Sequence, residues 1–110
     1  MGGLRVEGVQ VGNVSEYDHR KGEAEVDLDL PLAVGDRIHF VGMYTDFVQL
    51  VEKMSYKGRA VRRGRAAQKV WVGVKYHVRI GDAVVLLPPR SGAADGPEGG
   101  GLGLWGRRRR

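Results

Sequence analysis

Apolar and polar residues alternate through most of the first 88 positions, as expected of strands that bury one face. The longest alternation, Val70, Val72, Val74, Tyr76, Val78 and Ile80, places Trp71, Gly73, Lys75, His77 and Arg79 on the opposite face of one strand. Ala24, Val26, Leu28 and Leu30 repeat the pattern. Val6, Val9, Val11 and Val14 predict a first strand with a bulge or shift of phase, and Ile38, Phe40 and Val41 lie in a third. Between the first two, Asp18-His19-Arg20-Lys21-Gly22 predicts a polar hairpin loop. Gly35-Asp36 and Gly81-Asp82 each precede a short apolar strand and read as matching corners. One segment fits two periods. Phe47, Leu50, Val51 and Met54 fall at i, i+3, i+4 and i+7, the stripe of an amphipathic helix, and Asp46 with Gln49 resembles a capping box. Phe47 to Val51 also fits a strand that is bulged or buried on both faces.

The alternation stops at Pro88-Pro89. Residues 92–106 contain seven of the eighteen glycines, and so few groups to bury cannot offset the entropy of ordering the backbone. Residues 1–88 are therefore expected to form one domain and residues 89–110 a disordered tail ending in Arg107-Arg108-Arg109-Arg110. Extended arginines would add non-specific affinity for phosphate. Gly101, Gly103 and Gly106 spell a G-x-G-x-x-G, but no strand precedes it and no helix follows, so it carries no dinucleotide site.

Composition narrows the chemistry. Without cysteine there is no disulfide, thiolate nucleophile or cysteine-held zinc. The run Ala83 to Leu87 is far shorter than the ~20 residues of a membrane span, and Met1 to Glu7 has no secretory pattern, so the expected location is cytoplasmic. His19, His39 and His77 show no paired spacing, and Ser15, Ser55 and Ser91 sit in no nucleophile elbow. Asp27 and Asp29 share a strand face in an ordinary solubility pattern. No catalytic residue, cofactor or metal is expected, and the chain is read as a non-enzyme.

Charge is the informative quantity. The net charge is +5, yet residues 1–52 carry four basic and ten acidic side chains, whereas residues 53–81 carry nine basic and none acidic. An unopposed cationic stretch fits an anionic partner. Arg59, Arg62, Arg63, Arg65 and Lys69 would contact phosphate and Trp71 would stack on a base, with Lys75 and Arg79 on the same outer face, as in RNA-binding barrels. The alternative is that Trp71 covers a barrel edge or packs beneath the Arg62-Arg63-Gly64-Arg65 loop.

The run Val34-Gly35-Asp36-Arg37-Ile38-His39-Phe40-Val41-Gly42 followed by Thr45-Asp46-Phe47-Val48-Gln49-Leu50-Val51-Glu52-Lys53-Met54 resembles the small translation elongation factor-like proteins, themselves similar to the second domain of elongation factor Tu. Gly12-Asn13-Val14 with Tyr17, Val26-Asp27-Leu28, Pro31-Leu32 and Arg79-Ile80-Gly81-Asp82 extend the likeness over residues 8–87. A related barrel ends some collagenase-like peptidase family proteins, but the Thr45-Asp46-Phe47 run fits the elongation factor-like proteins better. The resemblance implies an all-β fold, a small closed barrel of six to seven strands, with a bent strand over Phe47 to Met54. Its interior would hold Val26, Leu28, Ile38, Phe40, Phe47, Val51, Met54, Val70, Val72, Val74, Val84 and Leu86. Two departures stand out: Ala67-Gln68 replaces a Gly-Asp turn, and Trp71 replaces a small residue. The G-x-x-x-x-G-K-[ST] loop is absent, which excludes nucleotide hydrolysis in this chain. The expected function is a non-catalytic module contacting RNA or a ribonucleoprotein in translation. The alternative is a protein-docking barrel that works beside a separate enzyme.

Overall fold

In the computed structural model, which describes residues 8–89, ten strands form and no helix. The strands are β1 (Val9–Asp18), β2 (Glu23–Leu28), β3 (Leu32–Ala33), β4 (Arg37–Val41), β5 (Asp46–Leu50), β6 (Met54–Tyr56), β7 (Arg59–Ala60), β8 (Arg63–Gly64), β9 (Lys69–Gly73) and β10 (Ala83–Leu86). Eight make one curled antiparallel sheet in the order β5-β4-β10-β1-β2-β9-β6-β7, and β3 pairs with β8 in a two-stranded ribbon.

Alternation sets the register. Val14, Val26 and Val70 lie in one row across β1, β2 and β9, and Tyr17, Ala24, Val72 and Met54 in another, so every inward row is apolar. A directly opposed pair shares a face, and these rows meet Ile38, Phe40, Leu32 and Val84 in one core. The sequence's bulge in the first strand is present, with the pairing to β10 slipping between Gln10 and Gly12. Val11, Val14, Ala24, Leu32 and Val78 join the core beyond the expected set, while Phe47, Val74 and Leu86 pack against it half-buried.

The two corners are alike in detail. Gly35 and Gly81 have φ of 99° and 97°, a region closed to most side chains. In each, the following aspartate accepts the backbone N–H three residues earlier: Ala33 N donates to Asp36 and Arg79 N to Asp82, both at 2.8 Å. The ambiguous segment is not a helix, nor one bent strand from Phe47 to Met54: β5 ends at Leu50, residues 51–53 belong to no strand, and β6 begins at Met54. Phe47 pairs with Phe40 and Gln49 with Ile38, so the ladder to β4 overrides the helical spacing.

Two expectations change. The closed barrel of six to seven strands is instead an open, curled sheet whose edges are β5 and β7. The physical reason lies in the long alternation, which stays in strand only to Gly73. Beyond it the chain turns away, Val78 remaining buried while Tyr76 and Ile80 face outward. No backbone ladder joins β5 to this segment; the side chain of Gln49 does so instead. Its Nε2 donates to Gly73 O at 2.8 Å, and Lys75 N donates to its Oε1 at 2.8 Å. The expected tail and Val6 lie outside the described residues.

Candidate functional site

The eight predicted contact residues do not assemble into one surface. Arg59 sits on β7 opposite Tyr56, and Arg63 on β8 opposite Ala33. Arg62 borders a hollow with Val34 and Glu52, whereas Arg63 borders a different one with Pro31 and Asp36. Arg65 and Lys69 flank the turn before β9, where Arg65 N donates to Gln68 Oε1 at 2.9 Å. Lys75 lies past the end of β9, and the Arg79 guanidinium lies 4.9 Å from the ring centre of Tyr44. Only Lys69 and Trp71 line a common hollow.

Strand pairing also brings carboxylates beside part of what sequence order left unopposed. On β2, Asp27, Glu25 and Glu23 stand directly opposite Lys69, Trp71 and Gly73 of β9. Lys53 is ion-paired to Glu23 at 3.1 Å. Trp71 is therefore half-buried in mid-sheet, between Glu25 and Ser55, rather than on an edge or under the arginine loop. A nucleic-acid backbone laid along this face would meet three carboxylates.

A different surface gathers at the end of the sheet where the β4–β5 turn meets residues 74–82. Met43, Tyr44, Tyr76 and Ile80 are 86, 74, 64 and 68 % exposed, the four most exposed large apolar side chains among the described residues. Buried polar groups hold the two loops in place. Asp82, on the second loop, packs against Gly42 so closely that any Cβ at residue 42 would clash with its carboxylate. Val14 N donates to Asp82 O, and Gly81 N to Val14 O, both at 2.8 Å, which ties the same corner to β1. Tyr76 meets Phe47 edge-on with ring centres 5.0 Å apart, and His77 lies tilted against Tyr17 with ring centres 4.6 Å apart. Exposed aromatic, methionine and arginine side chains on a braced frame are the composition of protein interfaces.

Sequence reasoning missed this surface because it assigned Tyr76 and Ile80 to an inward strand face and passed over Met43 and Tyr44. Two bulky apolar residues in a tight turn were the available signal. Gln49 was also legible, as one amide inside the run Phe47-Val48-Gln49-Leu50-Val51. Among the described residues, no three histidine, aspartate or glutamate side chains come together as a metal site. No helix there is long and apolar enough to cross a membrane.

No family model and no curated protein sequence matches the chain. Among solved structures it is similar to the C-terminal domain of a Geobacillus thermoleovorans protein classed as a U32 peptidase. That likeness has 24 % identity over 78 % of this chain and 100 % of that one, with a TM-score of 0.68. The selenomethionine variant of the same domain gives 26 % identity over 69 % of this chain and 96 % of that one, with a TM-score of 0.66. These matches correct the resemblance to elongation factor-like proteins: the solved neighbours are peptidase C-terminal domains, and the Thr45-Asp46-Phe47 run does not discriminate between the two kinds of barrel. The translation and RNA-binding reading falls with it, for the electrostatic reason already given.

Proposed function

We propose that this chain is a protein-docking accessory module, itself without catalytic residues, that works beside an enzyme encoded elsewhere or joined to it. The observation that carries the reading is the braced loop end bearing Met43, Tyr44, Tyr76, Arg79 and Ile80. Large side chains left exposed at fixed positions lose little entropy on binding and supply most of an interface's energy. The likeness to the C-terminal domain of a protein classed as a peptidase supports the same reading, because such a domain is joined to a larger protein and has a protein surface within reach.

The test is site-specific photocrosslinking in the source cells, with a crosslinking amino acid at Tyr76 and, as a control, at Arg59. A discrete adduct with an enzyme from the Tyr76 position, lost when Tyr44 and Ile80 are changed to serine, is the expected result. Equal yields from both positions, or no adduct at Tyr76, overturn the proposal.

A further inference from the structure

We infer that the Trp71 face is a second binding site, one that takes an arginine or lysine side chain from an extended segment of a partner protein. It shares with the docking reading only the premise that the partner is a polypeptide. Trp71 is the common wall of two hollows. One, of about 420 Å³, is lined by Glu25, Tyr56 and Lys69 among others; the second, of about 170 Å³, is lined by Asp18, Lys21, Glu23, Ser55 and Gly58. The smaller is sized for one side-chain head, and Asp18 and Glu23 share its lining with the indole.

The charge pattern on this face favours a cation from outside. Across the β1–β2 hairpin, Glu16 stands directly opposite Glu25, and Asp18 opposite Glu23. Like charges in facing positions destabilise a sheet, and two such pairs stand almost side by side. Among the described residues, Glu23 is the only one of the four in an ion pair, with Lys53, while Glu25 accepts the Ser15 hydroxyl at 3.0 Å. A guanidinium or ammonium seated against the indole would meet the aromatic π system and the Asp18 and Glu23 carboxylates together. An ammonium already lies against the neighbouring ring, with Lys57 Nζ 5.4 Å from the centre of Tyr56. Two lysines, Lys57 and Lys69, face one carboxylate, Glu25, around the larger hollow, whereas one lysine, Lys21, faces two carboxylates around the smaller, so the entering charge belongs in the smaller one and the stem or backbone in the larger.

The test is fluorescence anisotropy of labelled hexa-arginine, hexa-lysine and hexa-glutamate peptides with the full chain. Both basic peptides should bind, and the acidic one should not. Glu23→Gln combined with Asp18→Asn keeps the side-chain shapes and the turn acceptor of Asp18, and should weaken binding about fivefold or more, as should Trp71→Leu. The Trp71 indole N–H resonance, separated from that of Trp105 by Trp105→Phe, should shift on adding hexa-arginine. Tyr44→Ser with Ile80→Ser should leave this binding intact while abolishing the crosslink at Tyr76, so the two proposals fail separately. Binding indifferent to Trp71, Asp18 and Glu23, or equal binding of hexa-glutamate, overturns the inference. So does a Trp71 resonance that moves when Arg107 to Arg110 are changed to serine with no peptide present, because the chain's own terminus would then be the occupant.

Discussion

Residues 69–73 and 74–80 carry one unbroken alternation of apolar and polar side chains, yet the first half is a central strand and the second is an irregular loop. The difference lies in their neighbours. Lys69–Gly73 has β2 on one side and β6 on the other, so its backbone groups pair and Val70 and Val72 are fully enclosed. Beyond Gly73 no strand runs alongside, and the backbone depends on the Gln49 amide, on Val74 N donating to Gly22 O at 2.9 Å, and on ring contacts. An alternating pattern states which side chains prefer burial; whether it becomes a strand depends on an available ladder.

The contrast can be broken most strongly at Gln49. Gln49→Ala leaves Gly73 C=O and Lys75 N–H without their partner, and should cost about 2–4 kcal/mol in denaturant unfolding, as befits two orphaned backbone groups. Next in size is a matched pair of truncations. Val72→Ala, in the enclosed half, should cost roughly 1.5–3 kcal/mol, whereas Ile80→Ala, in the exposed half, should stay within about 0.5 kcal/mol. Similar losses at both sites would mean that the two halves are one structural unit. Asp82→Ala removes the acceptor of Arg79 N–H at the corner and should cost about 1–2 kcal/mol, with a loss of the Tyr76 crosslink larger than the stability change explains. The smallest effect has the opposite sign. Ala67 keeps a φ of 73° in the turn leading into β9, so Ala67→Gly should stabilise the protein by up to about 1 kcal/mol, read as a higher midpoint at unchanged denaturant slope.

Ala67 also shows what a sequence can carry. The loss of glycine from that turn put its geometry in question, and the turn nevertheless keeps its positive φ, held by Ala67 N donating to Leu28 O at 2.8 Å and Gln68 N to Arg65 O at 3.1 Å. The rows through Val14, Val26 and Val70 were legible because each strand alternates without interruption. β3, β7 and β8 were not, since two residues cannot display a period. The Trp71 face was half legible. Tryptophan and the cations near it stand out in the sequence, but Glu25 comes beside Trp71 only through a pairing 46 residues apart in the chain. Sequence distance therefore showed the cations of that face and not the carboxylates that stand opposite them.

The Gln49 seam has a consequence for how the molecule moves. A ladder distributes resistance to opening over many backbone bonds, whereas here two hydrogen bonds of one side chain connect β5 to the segment after β9. Native-state hydrogen exchange should therefore find Lys75 N–H far less protected than the amides of β1 and β2, because it is released by local opening rather than by global unfolding. The loop bearing Tyr76 and Ile80 is therefore held firmly at Val78 and Asp82 and more loosely at its Gln49 side, where local opening can let Tyr76 settle against an incoming surface while the valine rows beneath stay closed.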